Sequence, residues 1–126
     1  METYLTFAKP RGECLNILVT GATGSLGSAV MHRLTTKGHS VKGIGRSQQK
    51  IEHLKANGLQ VYRCDLLDLE ALKSHTTDVD VIVHCAAYAA PFGRKSQFFS
   101  TNVRGLEHVF KAAGNSGAGV IVVSSA

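Results

Sequence analysis

One segment constrains the fold of this chain more than any other: Asn16-Ile17-Leu18-Val19-Thr20 running directly into Gly21-Ala22-Thr23-Gly24-Ser25-Leu26-Gly27. The first five residues are a continuous apolar run, the pattern of a strand covered on both faces in a parallel sheet. A helix follows from Ser25 to Lys37, with Leu26, Val30 and Leu34 at i, i+4 and i+8 on one face and Gly38 at its end. Gly21 allows a sharp turn out of the strand, Gly24 keeps a Cβ out of the path of an incoming group, and Gly27 lets the helix pack closely on the sheet. The N–H groups opening the helix at Ser25 and Leu26 have no intrahelical partners and sit at the positive end of the helix dipole. Together they form a binding site for phosphate, with Thr23 and Ser25 adding hydroxyl donors. Three glycines alone also occur in turns that hold nothing. The strand before and the helix after are what give this spacing its meaning.

The rest of the chain repeats the strand-then-helix alternation. Ser40 to Ile44 reads as a second strand, and Gln48 to Asn57 as a second helix stopped by Gly58. Gln60 to Arg63 is a third strand, Leu69 to His75 a short third helix, and Val79 to His84 a fourth strand. Phe98 to Ala113 is a fourth helix expected to bury Phe99, Val103, Leu106 and Phe110, and Gly119 to Ser124 is a fifth strand. Right-handed crossovers then give an α/β, doubly wound parallel sheet (a Rossmann fold) of order 3-2-1-4-5. Its ligand crevice lies at the carboxyl ends of the first and fourth strands, where the order reverses. The fifth strand is wholly apolar, which suits an interior strand, so the sheet is expected to be incomplete at its carboxyl-terminal edge. With 126 residues there is room for one domain. It is assigned to residues 16–126 as a partial Rossmann domain, with residues 1–15 as an amino-terminal leader.

Composition narrows the setting. Apolar residues make up 44% and charged residues 18%, ordinary for a globular chain. No apolar run reaches the ~20 residues of a membrane span, and residues 1–15 resemble neither a signal nor a transit peptide. Cys14, Cys64 and Cys85 are odd in number and lack metal-ligand spacing, as do the histidines, so a reduced cytoplasmic setting and no metal are expected. The net charge of +5 is unevenly placed, with six bases against Glu52 between Arg33 and Lys55. Such a stretch attracts an anion, either nucleic acid or a phosphorylated small molecule. It lacks the interleaved aromatics that stacking on single strands uses, so no nucleic-acid partner is expected.

The spacing Thr20-Gly21-x-x-Gly24-x-x-Gly27 resembles that of the extended short-chain dehydrogenase/reductase family, which includes the NAD-dependent epimerases and dehydratases. Further matches follow in the family's order. Asp65-Leu66 resembles its adenine-holding pair, His84-Cys85-Ala86-Ala87 its HxAA segment, Asn102-Val103-Arg104-Gly105 its NVxG segment, and Val123-Ser124-Ser125-Ala126 its serine segment. The resemblance covers Asn16 to Ala126. Within the family, Ala86 to Gly93 followed by Asn102 looks most like the 3β-hydroxysteroid dehydrogenase branch. The resemblance implies cofactor contacts from Gly21, Thr23, Gly24, Ser25, Leu26, Asp65, Leu66, Ala86, Ala87 and Tyr88. It also implies that Ser125, with Ser124 as the alternative, hydrogen-bonds the reacting oxygen, and that Asn102 supports the site.

Which nicotinamide is implied depends on the end of the second strand. An NAD-selective site places an acid there for the ribose hydroxyls. No acid occurs between Glu13 and Glu52; Arg46 stands there, followed by Ser47 and Lys50. A guanidinium can grip a 2′-phosphate with two donors, so the expected cofactor is NADP, with NAD less favoured. In the family, a tyrosine followed four residues on by lysine is the acid/base. Tyr4, Tyr62 and Tyr88 are followed by Ala8, Leu66 and Phe92 instead, so the chain is expected to be the amino-terminal part of a longer enzyme and inactive alone. Tyr88 and Phe92 either face an apolar substrate or pack their own loop. His84, at the end of a buried strand, reads as a satisfied core histidine. The expected partner is a small-molecule substrate, and a homodimer is compatible with the reading. Sugar-nucleotide epimerisation or dehydration shares every motif here, and a non-catalytic NADP sensor is a further alternative.

Overall fold

The computed structural model describes residues 2–4, 14–85 and 95–124, with side chains at 14–85 and 102–123. Its centre is β2 (Asn16–Thr20), whose alternate residues feed two cores. Ile17 and Val19 pack on one face of the sheet with Met31, Ile51 and Leu54 from the helices there. Leu18 packs on the other with Leu72, Val109 and Ala112. Side chains alternate faces along a strand, so a strand covered on both sides must be apolar at every position.

From β2 the chain enters α1 (Ser25–Thr36), returns as β3 (Ser40–Gly45), and continues through α2 (Gln48–Ala56) to β4 (Gln60–Arg63). It then crosses by α3 (Leu69–Thr76) to β5 (Val81–His84) and by α4 (Lys95–Ser116) to β6 (Gly119–Ser124). The five strands are mutually parallel and lie in the order β4-β3-β2-β5-β6, the expected 3-2-1-4-5. Thr20 sits opposite Ile44 on one side and His84 on the other, so the carboxyl ends of β3, β2 and β5 lie side by side. α2 and α3 open with side-chain caps: Ser47 accepts from the Lys50 N–H, and Asp68 from the Ala71 N–H. Among the described residues, no helix is long and apolar enough to cross a membrane.

Two features differ from the sequence expectation. The edge beyond β6 carries a sixth strand, β1 (Glu2–Tyr4), drawn from the first residues of the chain and antiparallel to β6, with Glu2 opposite Ser124 and Tyr4 opposite Val122. Three residues are too few to show a period, so this strand is defined by its partner rather than by its own pattern. The second correction concerns α4. Val103 and Phe110, expected to be buried, are 39% and 52% exposed, and Leu106 is only half-buried. The face that meets the sheet and α3 is instead Gly105, Val109, Ala112 and Ala113. Both stripes have helical spacing, and the smaller side chains occupy the face where α4 comes closest to its neighbours. Val109→Ala should therefore cost about 2 kcal/mol and Phe110→Ser less than about 1 kcal/mol in denaturant unfolding. The reverse ranking would contradict this orientation of α4.

Candidate functional site

The turn between β2 and α1 is held by its own backbone. Gly21 has φ of 66°, the left-handed region that favours glycine. Its carbonyl accepts the Gly24 N–H at 3.0 Å, while the Ala22 N–H reaches across to the Ile44 carbonyl at 3.0 Å. Gly24 is the N-cap of α1, is exposed, and supplies no side-chain cap; the first turn contains no acid. The helix therefore begins with open N–H groups and no competing negative charge, which suits a phosphate. Gly27 sits so close to the turn that a Cβ there would lie 2.0 Å from the Gly21 carbonyl oxygen.

This turn forms one wall of a cavity of about 470 Å³. Arg46, Ser47 and Lys50 form a second wall, where β3 passes into α2. Asp65, Leu66 and Leu67 form a third, between β4 and α3; there Asp65 Oδ1 accepts the Leu67 N–H at 3.0 Å. His84 and Cys85 close the end of β5, and Asn102 and Gly105 line the cavity from α4. Gly21, Thr23, Gly24, Ser25, Leu26, Arg46, Asp65, Leu66 and Asn102, all singled out from sequence, thus surround one space. Ala86, Ala87, Tyr88, Phe92 and Ser125 lie outside the described residues, as does the side chain of Ser124.

The structure also shows how Lys50, named from sequence after Arg46, and His84 reach this space. Lys50 borders the same wall as Arg46 because Ser47 caps α2 between them, one turn from Lys50. His84, read from sequence as a core residue, is buried and also lines the cavity. Its Nδ1 lies 2.8 Å from Thr20 Oγ1, which accepts the Cys85 N–H at 3.1 Å. With the Cys85 N–H donating to Thr20 Oγ1, the hydroxyl's own proton is placed to go to Nδ1, which leaves the ring proton on Nε2. Burial lowers the His84 pKa to about 4, so the ring is neutral near pH 7. Burial also raises Cys64 and Cys85 to about 11, with Asp68 and Asp65 adding to the effect at Cys64. Both thiols therefore stay protonated and are poor nucleophiles near neutrality. All three cysteines are free. Among the described residues, no three His, Cys, Asp or Glu side chains converge to hold a metal ion.

The chain as a whole resembles known proteins. The model of the NAD dependent epimerase/dehydratase family matches residues 17–126. A 2-alkyl-3-oxoalkanoate reductase from Stenotrophomonas maltophilia (strain K279a) is 33% identical over 111 residues, covering 88% of this chain and 33% of the relative. Among solved structures, the Bordetella bronchiseptica enzyme WbmG in complex with NAD superposes with a TM-score of 0.72 at 28% identity, covering 86% of this chain and 36% of that one. The UDP-N-acetylglucosamine 4-epimerase from Bacillus cereus does so with a TM-score of 0.68 at 28% identity, covering 82% and 36%. The chain thus spans about a third of the length of each of these proteins.

Proposed function

The chain belongs to the NAD-dependent epimerase/dehydratase family, and from that premise we propose that it is the cofactor-binding portion of an NADP-dependent oxidoreductase acting on a hydroxyl or carbonyl of an apolar substrate. The observation that carries the NADP reading is the shared wall of Arg46, Ser47 and Lys50 beside the uncapped start of α1. In this reading the α1 N–H groups and Thr23 and Ser25 hold the pyrophosphate, and Asp65 and Leu66 flank the adenine. Arg46 and Lys50 face the 2′-phosphate. Ala86, Ala87 and Tyr88 follow the nicotinamide half, Asn102 supports the reacting end, and Ser125 hydrogen-bonds the substrate oxygen. Bound NADP would supply the hydride donor or acceptor. The chain holds no tyrosine followed four residues on by lysine, so it would bind cofactor without turning over substrate. The alkyl chain and oxo group in the name of the Stenotrophomonas relative support an apolar carbonyl substrate; a 3β-hydroxysteroid-like compound would be an apolar substrate of the alcohol form.

Calorimetric titration of the chain with NADP and NAD tests this. A hydrogen bond to a charged group contributes about 1.5–3 kcal/mol, so NADP should bind about ten- to a hundredfold more tightly. Arg46→Asp should bring the two affinities level or reverse them. An unchanged ratio in that variant would show that Arg46 does not read the phosphate, and no binding of either nucleotide would defeat the cofactor reading. A second reading, sugar-nucleotide epimerisation, is favoured by the likeness to the Bacillus cereus epimerase. A wild-type chain that prefers NAD would shift the assignment toward it.

A further inference from the structure

We propose that His108 on α4 is a positioning residue that holds the Asp65–Leu67 wall of the cavity in place through one hydrogen bond. Its Nδ1 lies 2.6 Å from the Leu66 carbonyl oxygen. A carbonyl only accepts, so Nδ1 carries the proton and donates. Asp65, Leu67 and Asp68 are all exposed. Among the described residues, the Leu67 N–H donates to Asp65 Oδ1 at 3.0 Å and the Asp68 N–H to the Asp65 carbonyl at 3.0 Å, both within the loop, and the adjoining Cys64 thiol reaches the Asp65 carbonyl at 3.7 Å. Internal bonds shape the loop without fixing where it stands against the rest of the cavity.

The ends of the loop are anchored by the Cys64 N–H on the Gly45 carbonyl at 2.9 Å and by α3, which starts at Leu69. Between those ends, the Leu66 side chain packs on the core around Leu18, Leu72 and Val109, and α4 makes two further contacts. One is the His108 bond. The other is the Leu66 side chain against Gly105, where a Cβ would sit 3.4 Å from Leu66 Cδ1. Asn102, Gly105 and His108 are spaced by three residues, which places them in one row along the helix. Asn102 and Gly105 line the cavity. His108 is thus the last member of a row that joins the loop to the helix carrying Asn102, although it does not line the cavity itself.

Two substitutions separate the donor from the bulk of the ring. His108→Leu keeps the volume and loses the N–H; His108→Asn loses volume and keeps an amide N–H near the position of Nδ1. Hydrogen exchange of the Leu67 and Asp68 amides in the nucleotide-free chain reads how readily the loop opens once α4 no longer holds the Leu66 carbonyl. A neutral hydrogen bond contributes about 0.5–1.5 kcal/mol, so His108→Leu should exchange about three- to tenfold faster there, with α1 and α2 unchanged. His108→Asn should restore slow exchange. The effect on binding rests on the cofactor reading above: adenosine 2′,5′-bisphosphate and NADP should each weaken about three- to tenfold in His108→Leu and recover in His108→Asn. Slow exchange in His108→Leu, or fast exchange in His108→Asn, would show that the ring acts by packing and would overturn the proposal. If the wild-type chain binds neither nucleotide, the cofactor reading fails, while loop exchange still decides the role of His108.

Discussion

Replacing Gly27 with alanine should lower the melting temperature by about 10 °C or more, the largest loss of stability expected from a methyl group added at any glycine among the described residues. The added Cβ would lie 2.0 Å from the Gly21 carbonyl oxygen, 2.6 Å from its carbon and 3.0 Å from Ala22 Cα. All three are backbone atoms, in a turn already fixed by the Gly21 conformation and by the Ala22 N–H to Ile44 bond. No side chain can rotate away. The amino-terminal end of α1 must instead lift off β2, opening the core around Ala22 and Met31, at a cost of at least about 3 kcal/mol. Gly24→Ala makes the informative comparison. At Gly24 φ is −81° and the nearest contact of a Cβ is 3.4 Å, so the fold should survive. That methyl group would nonetheless stand at the open start of α1 and should weaken nucleotide binding. A Gly27→Ala chain that melts within 2–3 °C of wild type would refute the close packing of α1 on its own turn.

Acidification should destabilise the chain through His84. The folded-state pKa is about 4, below the ordinary 6.5, because burial disfavours the charged ring. The unfolded chain therefore takes up this proton first as the pH falls. The contribution of His84 to stability is fully present above pH 6.5 and is lost as the pH falls toward 4, by about 3 kcal/mol. His75 shifts in the same direction, by burial first and by Lys42 second, and should add a smaller loss in the upper part of that window. Denaturant unfolding measured from pH 7 to pH 4.5 should show the slope, and His84→Gln should flatten most of it. Thr20→Val should lower stability at every pH, because it leaves Nδ1 of His84 and the Cys85 N–H without the Thr20 hydroxyl. A nuclear magnetic resonance titration that places the His84 pKa near 6.5 would contradict the burial of its ring.

Much of the site was legible in the residues, because the relevant physics is local. An apolar run, three glycines and a helical period within Asn16 to Lys37 dictate a strand, a turn and a helix with open N–H groups. Arg46, two residues before the start of α2, could be placed at a strand end from sequence alone. His84 was half legible. Its position at the end of a buried strand was plain, whereas its bond to Thr20 joins residues 64 apart.

The sequence by itself determined the alternation of strands and helices, the double-faced sheet and the glycine turn between β2 and α1. Each depends on spacings within one element or across one turn. Tertiary structure decided which of two apolar stripes of α4 meets the sheet, because both have the same period and only the distance to α3 and the strands separates them. It decided the edge strand β1, whose three residues carry no pattern and gain their hydrogen bonds from β6. It also brought His108 to the Leu66 carbonyl, 42 residues away in sequence. A polar side chain shows which bonds it can make, and the packed fold chooses the partner.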